Sequence, residues 1–199
     1  MDINQLRLAN RKLFLVVSSD EFESDEKFLD FVASSLQGGV QILLYRDKNS
    51  TARKIIRLGK RLRELCSIYN ALFIVNDRVD IAQIIEADGI HLGQDDIDIC
   101  FARQILEPEI IIGVSTHSEE QAVIAQNQGA DYIVIDQSLT EWASENIRIP
   151  FFVVNDVGHE NVEEIISSCG KRVVVSSSIQ NNKSPENAVT EMLNKLNQN

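Results

Sequence analysis

No apolar run in the chain approaches the roughly 18 residues that a membrane span requires. The stretch Leu13 to Val17 is short and flanked by charge, unlike a leader peptide. Cations are also in short supply. The sequence has 19 Lys and Arg against 30 Asp and Glu, a formal charge of -11, so nucleic acid would be repelled over most of the surface. A small anionic ligand needs only a local basic pocket and is not excluded. The expectation is a cytoplasmic protein with small phosphorylated partners, no nucleic acid and no membrane; self-association into a homo-oligomer stays open. Cysteine is scarce too. Cys66, Cys100 and Cys169 are odd in number and widely spaced, which argues against disulfides. Each falls among helix-like apolar positions, the pattern of buried free thiols. Low-complexity tracts and linkers are missing, so residues 1–199 read as one unit without internal boundary.

What is present is alternation. Strand-like apolar runs take turns with amphipathic helical stretches, the sequence form of parallel βαβ units. The runs are Leu13 to Ser18, Val40 to Leu44, Leu72 to Val75, Gly89 to Leu92, Ile110 to Ser115, Tyr132 to Ile135, Phe151 to Val154 and Arg172 to Val175. Eight strands favour a closed (β/α)8 barrel, the TIM barrel, over an open sheet. A helix from about Ser24 repeats Phe28, Phe31, Val32 and Leu36 and stops at Gly38 and Gly39, which permit a left-handed cap. A second begins near Ser50; its cations Arg53, Lys54, Arg57, Lys60, Arg61 and Arg63 read as a solvated face. Ser118 with Gln121 forms a capping box closed by Gly129, and Ser184-Pro185 opens the last helix, a cap followed by proline in the first turn.

In such a barrel, ligands bind at the C-terminal ends of the strands. Four of these ends carry chemistry. After the second comes Tyr45-Arg46-Asp47-Lys48, whose alternating cations suit a diphosphate or form a polar turn. Asn76-Asp77-Arg78 follows the third, and His91-Leu92-Gly93-Gln94-Asp95-Asp96 spans the fourth. Carboxylates from adjacent strand ends can converge on a hard cation such as magnesium; alternatively, Asp96 caps a helix beginning at Ile97. The fifth, Gly113-Val114-Ser115-Thr116-His117, offers a hydroxyl and an imidazole, suited to proton transfer or to structural hydrogen bonding.

Taken in order, these segments, with Gly38-Gly39-Val40, Phe73 to Asp80, Asp88 to Asp96 and Gly113 to Ser118, resemble the thiamine phosphate synthase family and its sister group, the thiazole tautomerases. The resemblance covers nearly the whole chain. It implies joining of an aminopyrimidine diphosphate to a thiazole phosphate, with loss of diphosphate by a dissociative, carbocation-like route. It further implies that Arg46, Lys48 and Asn76 hold the diphosphate, that Asp77 and Asp96 hold Mg2+, and that Ser115 lines the reacting centre, with Lys48 and Ser115 closest to the chemistry. Ser176 and Ser177 would keep polar groups at the eighth strand end.

Three departures stand out. Leu44 occupies a position where the family usually has glutamine. Only the thirteen residues Gln137 to Ile149 separate Asp136 from Pro150, too few for the family's phosphate-gripping loop. Asn155-Asp156 replaces a Gly-Gly pair, putting an anion where a phosphate would sit. The diphosphate and metal half therefore reads as intact and the acceptor half as eroded. Three functions fit: a synthase-type transferase, intact or impaired; a silent pyrimidine-diphosphate-binding or regulatory protein; or a tautomerase using His117.

Overall fold

A computed structural model describes residues 3–154 and 171–198. Eight parallel strands close into a barrel in chain order: β1 (Leu13–Val17), β2 (Ile42–Tyr45), β3 (Leu72–Asn76), β4 (Gly89–Leu92), β5 (Ile111–Thr116), β6 (Tyr132–Asp136), β7 (Phe151–Val154) and β8 (Val173–Val175). The seam is β1 on β8, where Leu13, Phe14 and Leu15 face Val173, Val174 and Val175. The described helices are α1 (Ile3–Leu8), α2 (Asp25–Gln37), α3 (Ala52–Ile68), α4 (Val79–Ile84), α5 (Ile99–Ile105), α6 (Glu119–Asn127), α7 (Thr140–Asn146), α8 (Ser177–Gln180) and α9 (Pro185–Asn197). No helix among the described residues is long and apolar enough to cross a membrane.

The strands read as continuous apolar runs because both faces are buried. Alternation then sorts the side chains. Leu13, Leu15, Leu43, Phe73, Val75, Ile90, Ile112, Ile133 and Val153 pack outward under the helices. Phe14, Ile42, Leu44, Leu72, Ile74, Ile111, Tyr132, Val134, Phe152 and Val174 fill the interior with Leu8 of α1. Phe14, Tyr132 and Phe152 meet edge to face, with centroids 5.4 to 5.8 Å apart. Burying one such ring contributes about 2 kcal/mol.

Helix α1 closes the lower end of the barrel. Asn4 Nδ2 donates to Pro108 O and to Asp131 Oδ1, and Arg7 reaches Glu109 O at 3.0 Å and Asp88 Oδ1 at 2.5 Å. Arg11 Nη1 donates to Asn70 O. All of these acceptors lie just before β3, β4, β5 or β6, so α1 and the turn that follows it together bridge four strand starts.

The helix punctuation follows the sequence with exceptions. Ser24, Thr51 and Ser118 accept from the backbone N–H three residues on, and Gly39 and Gly129 have φ of 109° and 92°. The Ser184 hydroxyl makes no cap bond; instead its own N–H donates to Asn182 Oδ1. Proline at the first helical position still sets the start of α9. Among the α3 cations, Lys54 and Arg57 pair with Asp25, Arg61 with Glu64 and Arg63 with Asp88, as a solvated helix face does. Cys66 is buried, but Cys100 is exposed. Helix α5 is only seven residues long and buries Ile99 and Ala102, leaving Cys100 on its outer side. Cys169 lies outside the described residues.

Candidate active site

The interior parity of the strands continues upward into the site. Beyond Ile42 and Leu44 the next inward position on β2 is Arg46; beyond Leu72 and Ile74 on β3 it is Asn76; beyond Ile111 and Gly113 on β5 it is Ser115; beyond Val174 on β8 it is Ser176. These polar residues, with Ser177 and His91, crown a cavity of about 410 Å³ whose walls include Phe14, Val16, Leu44, Val134, Val154 and Val174. Leu44 is thus an apolar wall of the cavity, at the position where a hydrogen-bonding side chain had been expected. Beside it lies a second recess of about 230 Å³, lined by Lys48, Asp77, Arg78 and Asp47 and sharing Asn76 with the first.

Asp47 explains why its neighbours face these spaces. It is buried, with Oδ2 accepting from Tyr45 Oη at 2.8 Å and from Ser19 Oγ. An extended chain alternates sides, so an Asp47 anchored with Tyr45 on the helix side leaves Arg46 on the barrel side. Arg46 enters no ion pair among the described residues, unlike the paired cations of α3. Lys48 Nζ stands 3.5 Å from Asp77 Oδ2.

Asp77 has φ of 60°, a left-handed conformation that aspartate tolerates better than most residues. Its N–H donates to His91 O at 2.9 Å, and the following Arg78 N–H turns back to Asn76 O. Asp77 and Asp96 lie near enough to act on each other: burial first, and then Asp96, raises the Asp77 pKa, against a smaller lowering by Lys48. Asp96 Oδ2 also accepts from Gly93 N at 2.6 Å. It does not cap a helix: α5 starts at Ile99, and Asp98 takes the capping role by accepting from Cys100 N.

Two interior residues were not singled out from sequence. His91 is buried on β4, with Nε2 at 2.8 Å from Ser115 Oγ and Nδ1 at 3.0 Å from Tyr132 Oη. The Tyr132 ring reaches it by crossing Gly113, which lies between the two in register. A Cβ at Gly113 would sit inside the Tyr132 ring. The available signal was parity: His91 faces inward two residues after Gly89, and Gly113 sits directly between two bulky inward neighbours.

Burial, reinforced by Arg46 and opposed by Asp96, pushes the His91 imidazole down to about 4 from 6.5. The unfolded chain therefore binds this proton first as pH falls. The neutral histidine's contribution is fully present above the unfolded pKa of about 6.5 and is lost progressively toward the folded pKa, about 3 kcal/mol in all. Asp77 works in the opposite direction, because a raised carboxylate pKa favours the fold at low pH and loses that advantage as pH rises. The histidine's loss sets in as pH falls below about 6.5, so urea unfolding at pH 7.5, 5.5 and 4.5 should show a steady loss of stability. A flat profile would place His91 in a wetter setting.

The remaining expected residues fall as follows. Ser176 and Ser177 line the main cavity. His117 stands outside it, with Nδ1 at 3.2 Å from Asp136 Oδ2 and both side chains about half exposed. After β6, a turn at Gln137–Leu139 leads directly into α7, so the thirteen-residue connection holds a turn and a helix and no long loop. Asn155-Asp156 lies outside the described residues.

Fold and site define a (β/α)8 barrel that presents cations, a carboxylate pair and hydroxyls at one rim, the make-up of an anion-handling pocket. The profile of the thiamine monophosphate synthase family matches residues 13–137. A thiamine-phosphate synthase of Synechococcus sp. (strain CC9311) is 35% identical over 96% of this chain, which spans 59% of that protein. One of Shouchella clausii is 34% identical over 82% of this chain and 86% of its own length. Among solved structures, thiamine phosphate pyrophosphorylase from Pyrococcus furiosus superposes with a TM-score of 0.88 at 28% identity, covering 97% of this chain and 98% of that one. The chain belongs to the thiamine monophosphate synthase family. The profile match ends at Gln137, where the connection after β6 becomes too short for a phosphate-gripping loop.

Proposed function

We propose that the chain joins an aminopyrimidine diphosphate to a thiazole phosphate with release of diphosphate. The observation that carries this reading is the grouping of Arg46, Asn76 and Ser115 in one recess and of Lys48 and Asp77 in a second that shares Asn76 with it, with Asp96 acting on Asp77 from beside it. Arg46 and Lys48 hold the diphosphate and take up charge as its bond to the pyrimidine methylene lengthens; Asn76, which borders both recesses, orients it. Ser115 donates at the reacting centre. The apolar walls, Phe14, Val16 and Val134 among them, shield a cationic fragment from water. Ser176 and Ser177 meet the acceptor phosphate.

Among the described residues no group of three or more His, Cys, Asp or Glu is placed to hold a metal ion, yet magnesium commonly takes one or two carboxylates and completes its shell with water and substrate phosphate. The neighbouring Asp77 and Asp96 fit this, since two carboxyls that act on each other disfavour ionisation until a cation joins them. When bound there, Mg2+ would supply positive charge to the departing diphosphate. The reading includes a cytoplasmic location and a chain acting as one unit over residues 1–199.

A second reading, a silent binding protein, draws on Leu44 and the short connection after β6. The tautomerase reading is weaker, because His117 faces Asp136 outside the cavity. Incubating the protein with both substrates and Mg2+ should release diphosphate, and Arg46→Ala should slow release by about a hundredfold or more. Tight binding of aminopyrimidine diphosphate without release would select the silent protein instead.

A further inference from the structure

The hydrogen-bond chain Tyr132, His91, Ser115 runs across the barrel interior from β6 through β4 to β5 and ends at the cavity. Its direction follows from an accounting of donors. The Tyr132 hydroxyl is fully enclosed, and its recorded partner among the described residues is His91 Nδ1. A buried hydroxyl hydrogen needs an acceptor, and Nδ1 can accept only if it carries no proton. A neutral imidazole then carries its proton on Nε2 and donates it to Ser115 Oγ, 2.8 Å away. That bond uses a lone pair of Ser115 and leaves the serine hydrogen for the cavity. The opposite direction would point the serine hydrogen at His91 and strand the tyrosine hydrogen among Phe14, Phe152 and the Gly113 backbone.

We propose that His91 and Tyr132 are positioning residues that fix the imidazole as the Nε2–H tautomer and so commit the Ser115 hydroxyl hydrogen to the bound ligand. Ser115 then prefers a ligand atom that accepts, such as a phosphate oxygen or a bare ring nitrogen, over an amino group. Hydrogen bonds in series polarise one another, so Ser115 becomes a better donor as negative charge grows on its partner. The effect on turnover rests on the synthase reading above; the tautomer does not.

Two measurements separate these. In nitrogen-15-labelled protein, with the other two histidines substituted for assignment, His91 should show a protonated Nε2 and a bare Nδ1. A proton on Nδ1 would overturn the proposal. Tyr132→Phe keeps the ring and should lower kcat about tenfold, the worth of one hydrogen bond, with KM nearly unchanged. In a Ser115→Ala background the same change should have no further effect, because the group through which it acts is gone. An equal loss in both backgrounds would mean that Tyr132 acts by packing alone and would refute the positioning role. If the unaltered protein releases no diphosphate, the synthase reading fails while the histidine spectrum still decides the tautomer.

Discussion

Asp77→Asn should make the protein more stable and nearly inactive. The substitution removes one of two neighbouring carboxylates, where burial and then Asp96 raise the Asp77 pKa, and asparagine tolerates the φ of 60° found there. The lost pairing with Lys48 matters little, since that ammonium is more than half exposed. Relief of a strained functional position of this kind is worth about 1 kcal/mol. Activity should move the other way, with diphosphate release falling about a hundredfold or more as the carboxylate pair is broken and the magnesium dependence of diphosphate affinity disappearing. Thermal unfolding and calorimetry with and without Mg2+ give both halves. A variant that is less stable yet still binds diphosphate in a magnesium-dependent way would mean that the pair is structural.

Gly113→Ala should be among the most damaging single-methyl changes available. Its Cβ would overlap the Tyr132 ring, which is fully buried and wedged edge-on against Phe14 and Phe152. Neither the strand backbone nor the aromatic cluster can give way cheaply, so the expected loss is about 3 kcal/mol, accompanied by rupture of the His91–Tyr132 bond. The effect should be strongly non-additive. In a Tyr132→Ala background the added methyl has room, and Gly113→Ala should then cost little. Urea unfolding of the four proteins in this cycle measures the coupling directly. Equal costs in the two backgrounds would show that Gly113 is needed for its backbone and not for the ring that crosses it.

The order of elements was readable because parallel strands buried on both faces leave uninterrupted apolar runs. β4 and β7 have the expected ends, whereas β2 begins two residues later than expected, at Ile42. Val40 is still occupied with the end of α2, its N–H donating to Ser35 O, and the Gln41 side chain accepts from Lys12 N and Leu13 N. An apolar residue that packs before its strand starts looks like strand in a sequence. The rim residues were readable for a related reason, since charge directly after an apolar run has few places to go but the open end of the barrel. His91 and Tyr132 were not, because each sits inside an apolar run and declares itself only through partners on neighbouring strands. The Cys100 expectation failed because a two-turn helix has too little buried face to hide every apolar-looking position.

The bridge that α1 and the turn after it make beneath β3 to β6 bears on traffic as well as packing. Leu8 is fully enclosed against the interior side chains, so among the described residues the vessel is stoppered below and opens at the rim. Whatever lodges against Phe14 and Leu44 must arrive before anything that rests on the rim and depart after it. Queueing of this kind makes the sequence of arrivals a property of depth, and an excess of the shallower ligand should act as a cork.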